Sequence, residues 1–143
     1  MPEDQSKPPV QPPPTIPPPS SMPEHEVRMW NMLCHLSALV GWLIPFVGNI
    51  LGPFAVWQMK RNEIPSVDVH GKMALNFQIT VSIILLPACG ISFLLGHIFC
   101  FGWITSPLVV LLGIGALICT VIAGVKANNG EDYKYPFSFE LVK

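Results

Sequence analysis

The charged residues of this 143-residue chain separate two long apolar stretches. No Asp, Glu, Lys or Arg occurs between Arg28 and Lys60, and none occurs between Lys72 and Lys126. A helix of about 20 apolar residues crosses the hydrocarbon core of a bilayer, so the second stretch has room for two spans and a short turn. It predicts a helical hairpin over about residues 72–96 and 104–127.

The first apolar stretch, residues 29–59, is too short for two full spans of about 20 residues and long for one. Pro45 and Gly48 interrupt it, which favours a turn at this point. One interpretation is a short helical hairpin, over about residues 29–44 and 50–60, that tilts or thins the membrane. The other is a single broken span. The hairpin makes the fold an all-α membrane protein, a four-helix polytopic bundle with a short first hairpin and a longer second one.

A four-helix arrangement places every charged segment of the chain on the same side of the membrane. These segments are the N-terminal arm up to Arg28, residues 60–72 and the tail from Lys126. The turns on the opposite side, residues 45–49 and 96–103, contain no Lys or Arg. Because Lys and Arg concentrate in cytoplasmic loops, the pattern predicts a multi-pass protein of the cell membrane with both termini in the cytoplasm. A single broken span would instead place Arg28 outside.

The two ends of the chain are polar tails of different kinds. Ten of the sixteen prolines lie in residues 1–23, so residues 1–26 are predicted to be a disordered cytoplasmic tail with polyproline II character. This tail is either a semi-rigid spacer or a ligand for an aromatic-lined groove, because residues 9–12 fit the PxxP pattern. The remaining residues, 27–143, are predicted to be the membrane domain. Its last part is a short C-terminal tail, residues 128–143. Within it, residues 136–143 alternate apolar and polar positions and predict a short strand or an interfacial segment.

Composition agrees with a membrane protein and excludes some partners. Half of the residues are hydrophobic and 12% are charged, whereas soluble domains carry roughly 25% charged residues. The net charge is −1, and no basic stripe is present that would meet phosphates, so nucleic acid is not an expected partner. The four cysteines have irregular spacing and are predicted to be small buried hydrophobic residues rather than a zinc site.

Polar side chains within the apolar stretches are the candidate functional residues, because polar groups at bilayer depth are costly and mark functional sites. Asn31 and His35 are four residues apart and share a helix face, as do Asn76 and Thr80. One hypothesis is a polar path or pocket near the cytoplasmic leaflet. The alternative is hydrogen bonding between helices, at about 0.6 kcal/mol per contact. The complete candidate face is Asn31, His35, His70, Lys72, Asn76, Gln78 and Thr80.

Small residues at intervals of four predict close helix packing, because they allow two backbones to approach each other. The residues with this spacing are Gly48, Gly52, Ala116, Thr120 and Gly124. The sequence contains no HExxH, GxSxG or P-loop motif and no zinc-type spacing. We therefore expect no enzymatic activity, no bound cofactor and no metal site.

Three stretches of the sequence resemble a known family. They read WNMLCHLSAL (residues 30–39), VHGKMALNFQ (residues 69–78) and VKANNGEDYKYP (residues 125–136). They are similar to a bacterial family of small, uncharacterised membrane proteins distantly related to the Tic20 group, named for a component of chloroplast protein import. The resemblance covers residues 27–143 and implies a four-helix membrane bundle. It implies no catalytic residues.

Three functions compete at this point. The first is a non-enzymatic membrane component that contacts other polypeptides, as a translocation, insertion or complex subunit; the Tic20-like resemblance favours it. The second is a channel or transporter for a small solute or ion, which would use the region of His35, Asn76 and Gln78. The third is a membrane adaptor that works through its proline-rich tail. The partners expected are the lipid bilayer, other membrane proteins or a second copy of the chain.

Overall fold

The computed structural model describes residues 22–42, 44, 47–99 and 102–143. These residues form four α-helices and one 3₁₀ helix and contain no β-strand, so the predicted all-α fold with four helices is confirmed for this part of the chain. The elements are α1 (Glu24–Leu36), the 3₁₀ helix (Ser37–Trp42), α2 (Gly48–Lys60), α3 (Pro65–Phe99) and α4 (Gly102–Asn128). Most of the predicted proline-rich tail, and parts of both predicted turns, lie outside the described residues.

The first helix begins earlier than predicted. α1 starts at Glu24 rather than near residue 29, so the boundary of the predicted tail, residues 1–26, lies within a helix. The carbonyl of Pro23 accepts a hydrogen bond from the N–H of Val27 at 3.2 Å. Two glutamates in the first turn favour this helix end, because carboxylates stabilise a helix N-terminus.

Other helix bounds also differ from those that the spacing of charged residues predicts. α3 starts at Pro65 rather than near residue 72, since proline is favoured in the first turn of a helix. α1 ends at Leu36 rather than near residue 44, and the chain continues in the tighter 3₁₀ helix. Charged positions indicate where an apolar stretch ends, but a helix continues through them into the polar region.

The 3₁₀ helix and α2 pack backbone against backbone. A Cβ atom on Gly48 would lie 2.7 Å from the carbonyl oxygen of Val40. A Cβ atom on Gly52 would lie only 2.1 Å from the carbonyl oxygen of Ser37. These two glycines therefore allow the chain to double back on itself. This geometry is that of the short hairpin and differs from a single broken span.

Two of the helices are long and apolar enough to cross a membrane, namely Pro65–Gly96 and Trp103–Asn128. Their large apolar side chains point outward: Leu86 is 57% exposed and Leu111 is 65% exposed. Only 6% of the most apolar window of the first helix, and 17% of that of the second, is buried inside the protein. An outward apolar surface of this extent is typical of helices that face lipid.

The core lies at the end of the bundle where the charged segments meet. One buried cluster contains Cys34, Ile64 and Val67. The other contains Phe77, Ala123 and Tyr135, from α3, α4 and the C-terminal tail. Contacts between charged segments surround this core. The ammonium of Lys60 lies 5.2 Å from the centre of the Trp30 ring, and His70 Nε2 lies 3.8 Å from a carboxylate oxygen of Asp132.

The C-terminal tail, residues 131–143, returns along α3 without forming a strand, so the strand alternative for this segment is wrong. Gly130 ends α4 in the left-handed conformation (φ 78°), and the N–H of Glu131 bonds to the carbonyl of Lys126 at 2.9 Å. The tail turns again at Pro136 and Phe137. Phe137 has φ 55°, an uncommon conformation for a residue with a side chain.

Candidate functional site

The polar face of α3 binds the backbone of the C-terminal tail. Asn76 Oδ1 accepts hydrogen bonds from the N–H groups of Leu141 (2.9 Å) and Val142 (2.6 Å). Asn76 Nδ2 donates to the carbonyl oxygen of Val142 at 3.1 Å. One helical turn further along α3, Thr80 Oγ1 accepts from the N–H of Phe139 at 3.0 Å and donates to the carbonyl of Asn76. Two side chains of one helix thus hold the main chain of the tail, which makes a tight turn where the N–H of Leu141 bonds to the carbonyl of Phe139 at 3.0 Å.

These four bonds reach only main-chain atoms of the tail. A main-chain contact is independent of the side chains of the segment that is bound, so it recognises a backbone conformation rather than a particular sequence. Asn76 and Thr80 are themselves buried, 6% and 1% exposed, and unpaired polar atoms there would be destabilising. A polypeptide segment bound at this site therefore supplies hydrogen-bond partners for Asn76 and Thr80, which lie near the start of the second apolar stretch.

We call the space between this face of α3 and the tail the tail groove. It has a volume of about 330 Å³ beside the bound segment. From α3 it is lined by Val69, Lys72 and Met73, and from the tail by Glu140 and Val142 among others. The Lys72 ammonium lies 2.6 Å from a carboxylate oxygen of Asp68 on the same helix. Lys72 thus borders the groove, but its charge is already paired.

A buried chain of hydrogen-bonding groups anchors the start of the tail. The hydroxyl of Tyr135 lies 2.9 Å from His35 Nδ1, and His35 Nε2 lies 3.1 Å from His70 Nδ1. His70 Nε2 in turn faces Asp132, whose side chain is 88% exposed. His35 is fully buried, while His70 and Tyr135 are each 6% exposed. The chain joins α1, α3 and the tail at the charged end of the bundle.

The charge beside His70 favours one direction of this chain. The Asp132 carboxylate lies 3.8 Å away, beyond hydrogen-bond distance, and its charge favours a proton on His70 Nε2, with Nδ1 as the acceptor. His35 Nε2 then donates to His70, and His35 Nδ1 accepts from the Tyr135 hydroxyl. Both imidazoles are neutral in this direction, and both ring nitrogens of His35 are hydrogen-bonded.

Tyr135 combines this hydrogen bond with aromatic packing. Its ring stacks on Phe77 of α3, with ring centres 4.0 Å apart and an angle of 14° between the planes. Burial raises the pKa of the Tyr135 phenol above its ordinary value, so the hydroxyl stays protonated and able to donate at neutral pH. Tyr135 therefore fixes the tail to the bundle independently of the bonds to Asn76 and Thr80.

Gln78, although predicted with the same face, belongs to a different network. Its Nε2 donates to Thr120 Oγ1 of α4 at 3.0 Å. Its Oε1 accepts from Asn49 Nδ2 of α2 at 3.3 Å, and Asn49 also donates to Ser82 Oγ at 3.0 Å. Asn49, Gln78 and Thr120 line a cleft of about 430 Å³ between the 3₁₀ helix, α3 and α4. These bonds connect α2, α3 and α4, as expected if the polar side chains form hydrogen bonds between helices.

Asn31 also forms an interhelical bond. Its Oδ1 accepts from Ser66 Oγ of α3 at 3.0 Å. The structure therefore divides the predicted polar face into three parts. Asn76, Thr80 and neighbouring Lys72 form the tail groove, His35 and His70 belong to the buried chain, and Asn31 and Gln78 join helices. It does not bring the seven residues together into one path or pocket.

The predicted packing residues lie at helix crossings. Gly48 and Gly52 of α2 pack against the 3₁₀ helix, and a Cβ atom on Gly124 would lie 2.7 Å from the side chain of Leu36. Gly124 thus brings α4 close to α1. Ala116 packs beside the cluster of Phe77, and Thr120 donates to its carbonyl at 3.0 Å.

The sequence reasoning missed the tail as a part of the site. Tyr135 and Asp132 lie about a hundred residues after His35, and no periodicity connects positions so far apart. Ser66 was missed because it lies in the charged segment of residues 60–72, before the predicted start of the third helix. The one available signal was the Tyr-Lys-Tyr-Pro string (residues 133–136), which the family resemblance included without assigning it a role.

Comparisons with known proteins identify a family. The model of the magnetosome magnetite crystal formation protein family matches residues 26–142. No curated protein and no solved structure matches the chain. The match establishes no link to the Tic20 group. In the described part of the chain, no group of three or more His, Cys, Asp or Glu side chains is placed to hold a metal ion.

Proposed function

The chain belongs to the magnetosome magnetite crystal formation protein family, and on that premise we propose that it is a non-enzymatic membrane component that contacts other polypeptides. Its contribution to crystal formation would then be made through protein contacts at the membrane. A role in translocation or insertion is a narrower form of this proposal and rests on the Tic20-like resemblance alone.

The observation that carries the proposal is the tail groove. Asn76 and Thr80 form four hydrogen bonds to the main chain of residues 139–142 and none to its side chains. Other binding proteins also recognise peptides through the main chain, with main-chain bonds that supply affinity and pockets beside them that supply specificity. A helix face that holds the backbone of one segment has the chemistry to hold another segment of the same backbone conformation.

We further propose that α3 and α4 cross the membrane and that the shorter hairpin of α1 to α2 enters it from the same side. The contact of His70 with Asp132 supports this topology, because it joins two charged segments at one end, where Lys60 also lies over Trp30, two residues after the N-terminal arm. The excess of Lys and Arg at that end favours a cytoplasmic orientation. The tail groove then lies at the cytoplasmic border of the membrane, where soluble and membrane-bound polypeptides both have access.

The two other functions have less support from the described residues. A solute path would use Asn76 and Gln78, but Asn76 is bonded to the tail and Gln78 to Asn49 and Thr120. The adaptor hypothesis depends on the proline-rich segment, most of which lies outside the described residues.

Photo-crosslinking in living cells tests the polypeptide contact. A photoreactive amino acid at Met73, which lines the groove, is compared with one at Ile83, which lies about three turns further along α3 and is 56% exposed. We expect adducts with other polypeptide chains at Met73 and only lipid adducts at Ile83. Adducts confined to the same single chain at Met73, or equal protein adducts at both positions, would overturn the proposal.

A further inference from the structure

The turn at Pro136 and Phe137 divides the C-terminal tail into two parts that are held differently. Before the turn, Tyr135 is fixed by its bond to His35 and its stacking on Phe77. After the turn, the main-chain bonds to Asn76 and Thr80 hold residues 138–143 in the groove. The second part can therefore leave the groove while the first part stays in place.

The turn itself has an unfavourable backbone conformation. Phe137 has φ 55°, in the left-handed region that residues with a Cβ atom seldom adopt, and its side chain is 88% exposed. Its neighbour Pro136 has a restricted φ and adds stiffness to the connection. Opening this turn into an extended connection would release the strain at Phe137. The closed conformation is thus disfavoured at one residue, while the groove contacts after it are favourable.

We propose that residues 138–143 exchange between two copies of the chain, so that each copy places its last residues in the other copy's tail groove. The inference rests on the proposed function, since it assumes that the groove binds polypeptide segments, and it names the partner as a second copy. The segment known to fit the groove is this chain's own. In the exchanged form every groove contact is retained, and the Phe137 turn opens as the hinge.

The geometry suits such an exchange. Residues 136–138, which connect the fixed part of the tail to the bound part, span about 10 Å when extended, and this is the distance between the axes of two helices that pack side by side. The groove is on an accessible face of α3, where Val69 is 53% exposed beside it. A reciprocal exchange uses the same surface on both copies and closes as a twofold pair, so it ends at a dimer rather than a filament.

Disulfide capture between differently tagged full-length copies tests the exchange. One copy carries Met73→Cys and the other carries Val142→Cys, because both positions line the groove. We expect an interchain disulfide, identified by mass spectrometry as the peptide pair containing positions 73 and 142. A copy with Leu108→Cys, on the exposed face of α4, replaces the first partner as the control for random collision. Adding Asn76→Ala is expected to abolish the specific product.

Two substitutions of Phe137 give the decisive comparison, because they are expected to change the interchain yield in opposite directions. Glycine at position 137 adopts a positive φ without strain and therefore favours the closed turn. Phe137→Gly is expected to lower the interchain yield about fivefold. Phe137→Pro cannot adopt a positive φ and is expected to raise the yield by a similar factor. A merely structural role of this exposed side chain would not give opposite effects.

Two results together overturn the exchange. The yield of the interchain disulfide does not exceed that of the Leu108→Cys control, and a single chain that carries both cysteines forms the disulfide within the same chain. The exchange is also overturned if both hinge variants leave the yield unchanged. These results leave the photo-crosslinks from Met73 to other proteins unaffected, so the exchange can fail while the proposed function stands. Loss of those crosslinks together with the exchange would remove both.

Discussion

Replacing His35 with alanine is expected to destabilise the protein by about 3–5 kcal/mol. The substitution removes both hydrogen bonds of a fully buried imidazole and leaves the Tyr135 hydroxyl and His70 Nδ1 without that partner. Each buried polar group that loses its partner costs about 1–3 kcal/mol, and the empty volume adds to this. Equilibrium unfolding of the purified protein in mixed detergent, followed by tryptophan fluorescence, measures the change.

His25→Ala is the matched control, since His25 is an exposed residue of the same helix. It is expected to change the unfolding free energy by less than about 0.5 kcal/mol. Tyr135→Phe should reproduce part of the His35→Ala effect, and the double variant should cost less than the sum of the two, because they share a hydrogen bond. Equal stability of His35→Ala and His25→Ala would contradict the buried chain.

Replacing Gly52 with alanine is expected to destabilise the short hairpin by about 2–3 kcal/mol. Alanine normally favours a helix over glycine by about 1 kcal/mol, so the sign of this effect is opposite to the propensity. The reason is the contact between α2 and the 3₁₀ helix, where an added Cβ would lie 2.1 Å from a carbonyl oxygen and both backbones would have to separate. The same unfolding measurement applies.

Gly90→Ala provides the comparison within α3. A Cβ atom on Gly90 would meet no other atom within 4 Å. This variant is expected to be neutral or to gain up to about 1 kcal/mol of stability. If Gly52→Ala proved as stable as Gly90→Ala, the backbone contact between the two segments of the hairpin would be refuted.

The fold was largely predictable because the spacing of charged and apolar residues along the sequence indicates how many apolar helices the chain can form. The gap from Lys72 to Lys126 specified the two long helices, and Pro45 and Gly48 indicated the turn of the short hairpin. The starts at Glu24 and Pro65 were not predictable in this way. They depend on how polar residues extend a helix beyond the apolar stretch, and a charge gap contains no information on that.

The site was predictable only in part, because its partners are distant in sequence. A helical spacing of four correctly placed Asn76 and Thr80 on one face of α3. Gln78 was a candidate because it is polar and lies within the apolar stretch, and its side chain points to a different helix and bonds to Thr120. The binding partner of the polar face could not be deduced, since its bonds reach main-chain atoms of residues 139–142 and do not depend on which side chains these residues carry.

Amide hydrogen exchange at the tail tests most directly whether the polar face of α3 binds a polypeptide backbone. In the native protein the N–H groups of Phe139 and Val142 are expected to be protected. Asn76→Ala should accelerate exchange at Val142, and Thr80→Val should accelerate it at Phe139, each by about tenfold. This selective pattern would establish the groove contacts one by one. Exchange of both amides at the rate of an unstructured peptide in the native protein would contradict them, and with them the proposed polypeptide-binding face.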